Sequence, residues 1–154
     1  MADTRSDDKP RVSDAEMLAR FQNSKKRPPC SETLGMHLAE VEQDAQRIRM
    51  DFDVPDMFAN PTGAVQGGFI AAMMDEAMST CCIIASNVTM TAPTLEMKTS
   101  YLRRLMPGKA SVEARILKWG RSAAFMEAEC FDNDERLVAK ATATAIPMPF
   151  KRLS

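Results

Sequence analysis

The sequence predicts an α+β fold in which a mostly antiparallel sheet of six strands wraps around one long helix, preceded by a short N-terminal helix. Two observations predict this class. Segments that alternate apolar and polar residues come as two before and four after a central segment. That central segment, about 66–85, is apolar on nearly all faces, which is typical of a helix enclosed by other structure. At 154 residues the chain has the length of one domain.

The first thirty residues lie outside this pattern. Residues 1–12 are charged and aperiodic, so we expect a disordered tail. The tetrapeptide SDAE that follows has the spacing of a capping box and precedes apolar residues at helical spacing, which predicts a helix over 13–23. The prolines of KKRPPC then end the helix. We therefore expect a helix and linker over 13–30 and the main domain over 31–150.

Alternation and turn residues place the six strands. The first two are joined by a tight turn near Gln43 and Asp44, and a loop rich in proline and glycine follows over 53–65. The helix takes 66–85, and turns with proline, glycine or asparagine separate the later strands. The predicted strands span 35–42, 45–52, 94–102, 110–119, 123–132 and 137–146.

Composition and charge argue against several classes of partner. The formal net charge is −1 and no long basic block occurs, so nucleic acid is not an expected partner. Asp75 and Glu76 interrupt the longest apolar stretches, which are too short to cross a bilayer, so no membrane helix is expected. The N-terminus, MADTRSDDKP, lacks the apolar core of a secretory signal. We therefore expect a cytoplasmic protein.

The cysteines predict neither disulfides nor a metal site. Cys30, Cys81, Cys82 and Cys130 contain no C-x-x-C spacing, and the adjacent pair cannot easily form two separate bridges. Only one histidine, His37, is present, so a zinc site would depend on carboxylates. Buried free thiols in a reducing compartment are the expectation.

Two features of the central helix suggest chemistry. Gly67 and Gly68 lie at its start, where unpaired N–H groups favour negative charge and glycine permits close approach of a carbonyl. Asp75 lies two turns further on among apolar residues, and a buried carboxylate is costly unless it is paired or used. The ordinary alternatives are close packing at the glycines and a carboxylate that pairs with a lysine or faces solvent.

The stretch NPTGAVQGGFIAAMMD, residues 60–75, resembles the motif of the hotdog-fold acyl-CoA thioesterases, in particular the phenylacetate-degradation (PaaI-like) group. Leu34-Gly35, SYLRRLMPG over 100–108 and WGRSAAFMEAE over 119–129 support the resemblance, which covers roughly 28–147. It implies the hotdog fold and hydrolysis of an acyl- or aryl-CoA thioester to free acid and CoA. It also implies no metal or cofactor, since coenzyme A is part of the substrate, and a homodimer that pairs into a homotetramer.

The resemblance also assigns catalytic roles. It implies that the Gly67 amide polarises the thioester carbonyl and that Asn60 positions the thioester or the attacking water. Asp75 is implied as general base or nucleophile, acting on a substrate bound against the loop of the neighbouring subunit. Two hydroxyls compete to hold the water: Thr94, which matches the PaaI-like arrangement and is preferred, and Ser79, which matches the hydroxybenzoyl-CoA thioesterases.

Glu76 is the acid most easily confused with Asp75. It is turned by about 100° on the helix, so both side chains cannot enter one pocket. We expect Glu76 at the dimer interface or in an ion pair.

Substrate binding is expected to involve the helix entry and basic residues. Gln66 stands where the family commonly has histidine, and unlike histidine it cannot titrate near neutral pH. Gly68 follows in the same loop. The phosphates of coenzyme A favour arginine or lysine at strand ends and turns. The candidates are Arg103, Arg104, Lys109 and Arg121, of which Arg121 is preferred.

Two rival functions remain. Replacement of the family histidine by Gln66 motivates a non-catalytic protein that binds or senses acyl-CoA. A hotdog hydratase or dehydratase would depend on a catalytic histidine, and His37 lies in the predicted first strand, away from the loop.

Overall fold

The computed structural model describes residues 10–150, and within them a long helix, α3 (Gly67–Ala85), lies on one face of a six-stranded antiparallel sheet. This confirms the predicted fold class. The sheet strands are β1 (Met36–Glu42), β2 (Arg47–Val54), β4 (Thr94–Tyr101), β5 (Gly108–Trp119), β6 (Ala124–Asp132) and β7 (Leu137–Ala145). The remaining elements are α1 (Asp14–Gln22), α2 (Pro29–Thr33), a 3-10 turn (Asp56–Phe58), β3 (Met90–Thr91) and β8 (Met148–Pro149).

The strand order across the sheet is β1-β2-β5-β6-β7-β4. The chain therefore leaves β2 near one side, passes through α3, and returns as β4 at the opposite edge beside β7. α3 lies mainly against β5, with further contacts to β6 and β2. Because β4 is an edge strand that also contacts α3, it can present side chains to the helix at the open side of the sheet.

The core forms between α3 and the inward side chains of the strands. β2 shows the alternation clearly: Ile48, Met50 and Phe52 are at most 2% exposed, and charged residues between them face outward. From α3, Met74 and Met78 are fully buried in the same cluster. One continuous apolar core therefore fixes the helix on the sheet.

Gly35 sets the entry to β1. Its φ is +68°, a conformation that L side chains rarely adopt, and a Cβ there would lie 2.4 Å from the Asp53 carbonyl oxygen. The Gly35 carbonyl accepts a hydrogen bond from the Asp53 amide at 2.9 Å. Glycine is thus required for the first strand to approach the end of the second.

The N-terminal helix is confirmed, and it packs on the body of the protein. Ser13 is its N-cap and accepts from the Glu16 amide at 3.2 Å, as the SDAE spacing predicts. Met17 is fully buried and α1 lies against β1. Residues 1–9 of the predicted tail lie outside the described residues; at its described end, the Arg11 guanidinium donates to Asp44 at 2.8 Å.

Three details differ from the sequence-based expectations. The prolines not only end α1 but also begin α2, with Pro29 at the first helical position, where its missing N–H costs nothing. Cys30 on α2 is exposed, so the expectation of four buried thiols is wrong at this residue. The two-residue strands β3 and β8 pair with each other, and neither was predicted.

By length and composition alone, α3 could also cross a membrane. Half of its apolar window is buried inside the protein, as expected of a core helix.

Candidate active site

Asp75 and Thr94 meet where α3 passes the start of β4. The Thr94 hydroxyl donates a hydrogen bond to Asp75 Oδ1 at 2.6 Å, although the residues lie on different elements. Both side chains are half-buried in the single chain. The structure therefore brings together the carboxylate and the preferred hydroxyl of the sequence-based hypothesis.

The helix around Asp75 is less enclosed than its composition suggests. Met74 and Ala77 are fully buried against the sheet, whereas Ala71 and Ala72 are only half-buried. Asp75 thus lies at the border between the packed and the open side of α3. One carboxylate oxygen accepts from Thr94, and the other has no hydrogen-bond partner within residues 10–150. This oxygen is available to a water or a substrate.

Glu76 points to a different element. The hydroxyl of Ser31, on α2, donates to Glu76 Oε1 at 2.6 Å, and Ser31 is 1% exposed. Within the described residues Glu76 thus has a neutral hydroxyl as its partner, and its expected place at a dimer interface or in an ion pair stays a prediction. The separation of the two acids follows from the 100° per residue turn of the helix.

The N-terminus of α3 offers an open amide. Gln66 is the N-cap, and its side-chain carbonyl accepts from the Gly68 amide at 2.7 Å. Glutamine is not a favoured N-cap residue, so sequence reasoning did not find this role. The Gly67 amide donates to no atom within the described part of the chain. At the positive end of a helix, such an amide can receive a carbonyl oxygen that gains negative charge.

A side chain that the sequence analysis did not single out completes this end of the helix. The hydroxyl of Tyr101, at the end of β4, donates to the Gly67 carbonyl at 2.7 Å. Tyr101 lies in the SYLRRLMPG segment and is the only tyrosine in the chain. A side chain that donates to a distant backbone carbonyl produces no recognisable spacing in the sequence. The only signal in the sequence was that Tyr101 is the single tyrosine.

Asn60 shapes the loop that leads into α3. Its Oδ1 accepts from both the amide and the hydroxyl of Thr62, at 2.8 and 2.7 Å, while its backbone amide donates to the Ala64 carbonyl at 2.7 Å. The side-chain oxygen is therefore committed to the turn. The side-chain NH₂ has no acceptor within residues 10–150 and can still donate to a ligand.

Within the described residues, no hydrogen bond or ion pair joins the remaining candidates to Asp75 or Gly67. Ser79 is half-buried, and its hydroxyl has no hydrogen bond to another described residue. Arg103 and Arg104 follow Tyr101 closely and are exposed, with Arg103 donating to the Leu137 carbonyl at 2.8 Å. Arg121 is exposed in the turn between β5 and β6.

His37 and Lys109 lie elsewhere. Both side chains contact Asp53, and Nε2 of His37 is 3.3 Å from its carboxylate. His37 is exposed, between the buried Met36 and Leu38, so it faces away from α3. The hydratase alternative therefore has no histidine at the helix entry. Among residues 10–150, no group of three or more histidine, cysteine or acidic side chains is arranged to hold a metal ion.

The buried thiols are unsuited to nucleophilic chemistry. Burial raises the pKa of Cys82 and of Cys130 to about 12, and it raises the pKa of Cys81 as well. The thiolate is the reactive form, so these residues are inert near neutral pH. They act as small apolar groups of the core.

Comparison with known proteins identifies the family of the chain. The family model described as "Thioesterase superfamily" matches residues 62–139, about half of the chain. A phenylacetic acid degradation-related protein of Ralstonia eutropha is 30% identical, with a TM-score of 0.77 over 84% of this chain and 98% of that one.

Two more distant structures share the fold. The PaaI protein from the phenylacetic acid degradation operon of E. coli is 15% identical, with a TM-score of 0.74 over 88% of this chain and 96% of that one. A Streptococcus mutans protein, solved with acetyl-CoA bound, is 21% identical, with a TM-score of 0.67 over 76% of this chain and 91% of that one. The match over residues 62–139 and the likeness to the Ralstonia eutropha protein show that the chain belongs to the thioesterase superfamily and has its hotdog-type fold.

Proposed function

We propose that this protein hydrolyses the thioester of an acyl- or aryl-CoA to the free acid and CoA. The observation that carries the proposal is the Asp75 carboxylate, held at 2.6 Å by the Thr94 hydroxyl with its second oxygen open. The free Gly67 amide at the start of the same helix supplies the other element that acyl transfer needs, a donor for the developing oxyanion.

The proposed mechanism follows from the hydrogen bond that Thr94 and Asp75 already make. Thr94 uses its proton on Asp75, so its oxygen can accept from a water held between the two side chains. Asp75 takes a proton from that water as the water oxygen attacks the carbonyl carbon. The Gly67 N–H stabilises the oxyanion, and the C–S bond then breaks as the carbonyl re-forms. The proton that Asp75 took from the water passes to the sulfur, so CoA leaves as a thiol and Asp75 is again a carboxylate. Direct attack by Asp75, through an anhydride, is the alternative form of the same step.

Geometry favours a site shared between two subunits. Gly67 and Asp75 are eight residues apart on α3, which is about 12 Å along the axis. The N–H groups of the first turn point out of the helix, so a bound carbonyl oxygen would lie about 3 Å further away. A base must be within about 3 Å of the proton it takes, or about 6 Å through one water. Asp75 would therefore serve a thioester held by the Gly67 of a second copy.

We accordingly propose a homodimer, paired into a homotetramer, as the working form. The open side of α3, with Asp75 half-buried, would become enclosed in such a dimer. We also propose that the enzyme acts in the cytoplasm and uses no metal or cofactor.

Coenzyme A would bind across the surface near the helix entry. The acetyl-CoA in the Streptococcus mutans relative supports a ligand of this type. Arg103 and Arg104 would meet its phosphates most readily, because they follow the residue that contacts Gly67. Arg121 is a further candidate, and the free NH₂ of Asn60 would orient the thioester or the water. Ser79, one turn beyond Asp75, would contact the acyl group.

Gln66 does not argue against catalysis in this arrangement. Its side-chain carbonyl caps the Gly68 amide, and this role needs an acceptor but no titration. A neutral imidazole could accept in the same place. The acyl-CoA sensor that Gln66 suggested is therefore kept as an outcome of the test.

The test is thiol release from short, medium and aryl acyl-CoAs by the unmutated protein, Asp75→Asn and Glu76→Gln. Ellman's reagent detects the released thiol. Because the exposed Cys30 thiol would react with it, each protein is assayed in a Cys30→Ser background, and Cys30→Ser alone serves as the reference. We expect Asp75→Asn to lose at least about 100-fold in kcat, the contribution of a general base. Glu76→Gln is the matched control and should keep most of its activity, because its amide oxygen can still accept from Ser31.

Two results would contradict the proposal. Turnover that is unchanged in Asp75→Asn would refute the mechanism. Tight binding of acyl-CoA without turnover in the unmutated protein would favour the sensor.

A further inference from the structure

Tyr101 makes a directed contact with the start of the central helix. Its hydroxyl donates to the Gly67 carbonyl at 2.7 Å, and a Cβ added to Gly67 would lie 3.0 Å from the ring carbon Cζ. Tyr101 is 51% exposed, so enclosure in the core does not impose this position. The hydrogen bond and the absent side chain of Gly67 together allow the ring to lie against the backbone.

The same peptide group is held at its other polar atom by Gln66. The Gly67 carbonyl and the Gly68 N–H belong to one peptide unit, and that N–H donates to Gln66 Oε1 at 2.7 Å. A peptide between two glycines has no Cβ on either side to restrict its orientation. In addition to the helix itself, two side chains from different parts of the chain thus engage both polar atoms of this peptide at the start of α3.

We propose that Tyr101 is a positioning residue that, together with Gln66, holds the Gly67-Gly68 peptide in a single orientation. This proposal rests on the proposed function, in which the adjacent Gly67 N–H receives the thioester carbonyl. If the 67–68 peptide rotates, the backbone torsions of Gly67 change and its N–H no longer has a fixed direction. A donor that is already oriented stabilises the transition state without reorganisation.

Strand β4 gives this contact a wider role. Thr94 at its first residue contacts Asp75, and Tyr101 at its last residue contacts Gly67. One edge strand therefore positions both the carboxylate and the oxyanion donor of a chain. Because those two groups serve different thioesters in the proposed dimer, β4 of each subunit supports both active sites.

The first experiment compares kcat and KM for Tyr101→Phe, Gln66→Ala and the double variant. Tyr101→Phe keeps the ring and removes the hydroxyl, and we expect kcat to fall by about three- to tenfold, the value of one hydrogen bond. KM should change little, since the hydroxyl does not contact the substrate. The two substitutions act on one peptide, so the double variant should lose less than the product of the single effects. Leu102→Ala, an exposed neighbour, is the matched control and should keep its kcat.

The second experiment does not depend on activity. Exchange of the Gly68 amide with solvent is measured by NMR on protein labelled at its six glycines. In Tyr101→Phe this exchange should accelerate, because the peptide samples orientations in which the Gln66 cap is broken. The Gly120 amide, which donates to the Ala123 carbonyl at 2.9 Å, is the internal control and should not change.

The outcomes separate the two proposals. If the unmutated protein hydrolyses acyl-CoA and Tyr101→Phe changes neither kcat nor Gly68 exchange, the role of Tyr101 is overturned while the proposed function stands. If no acyl-CoA is hydrolysed, the proposed function fails, and the Gly68 exchange rate alone decides whether Tyr101 holds the peptide. Purely additive losses in the double variant would also contradict a shared action.

Discussion

Replacement of Ser31 by alanine should destabilise the protein without altering its chemistry. The Ser31 hydroxyl is almost fully buried and donates to Glu76 Oε1 at 2.6 Å. A hydrogen bond to a charged group contributes about 1.5–3 kcal/mol to stability. Glu76 is half-buried, so water can partly replace the lost donor, and we expect the lower end, about 1.5 kcal/mol. For a chain of this size that is a decrease of about 3–6 °C in Tm.

The measurement is urea unfolding at fixed protein concentration, followed by the fluorescence of the single tryptophan, Trp119, which packs against the core. Thr33→Val removes an exposed hydroxyl from the same helix. This hydroxyl donates to the Pro29 carbonyl at 2.8 Å, but water can replace the bond at an exposed site, so the cost should be smaller, about 0.5 kcal/mol. In a Glu76→Ala background, Ser31→Ala should cost much less. An equal cost in both backgrounds would show that packing, and not the hydrogen bond, explains the loss.

Three further predictions concern charge, thiols and the helix cap. Lys109 lowers the pKa of Asp53, so the ion pair stabilises the folded protein above the ordinary pKa of 3.8, and this stabilisation is lost as the pH falls through the lower pKa of the folded state. Lys109→Met should therefore lose less stability than the unmutated protein when acid unfolding is followed by circular dichroism. Identical curves would contradict this. Ellman's reagent should label only Cys30 rapidly in the folded protein and all four thiols after unfolding; a second fast thiol would contradict the burial of the others. Gln66→His should give stability and turnover that decline below about pH 6.5, because a protonated imidazole cannot accept from Gly68, whereas the unmutated protein should show no such transition.

Alternation in the sequence predicted the sheet well because each strand has one buried face. β2 runs over Arg47–Val54, two residues later than predicted, since the turn after β1 occupies four residues and ends at Gln46 with φ of 50°. The alternating apolar residues Ile48, Met50 and Phe52 are nevertheless buried, and only Ala45, which lies in the turn, is exposed. The alternation determines which face of a strand is buried even when the predicted ends of the strand are displaced. Strands β3 and β8 were not predicted, because a strand of two residues is too short to show an alternating pattern.

The candidate site was predictable only in part, because some of its contacts belong to the family arrangement and others depend on a single side chain. The family resemblance implied Thr94, in preference to Ser79, as the hydroxyl near Asp75, and the structure has these two side chains in contact although they are 19 positions apart. The roles of Ser31 and Tyr101 did not follow, since each depends on one hydroxyl reaching an atom on a distant element. Gln66 was expected to bind substrate, and its capping contact was hidden because glutamine is not a preferred N-cap.

The hydrogen-bond partners of Asp75 and Glu76 explain why α3 carries two adjacent acids. Each receives a hydroxyl from a different element: Asp75 from Thr94 on β4, and Glu76 from Ser31 on α2. A lysine or arginine would have stabilised either carboxylate more, but at Asp75 a positive partner would also have made the carboxylate a weaker base. A single hydroxyl satisfies one oxygen and leaves the charge in place. At Glu76 the donor is itself buried, so the contact ties α2 to the core. At Asp75 the second oxygen stays open on the uncovered side of the helix, which is where a base must meet a water.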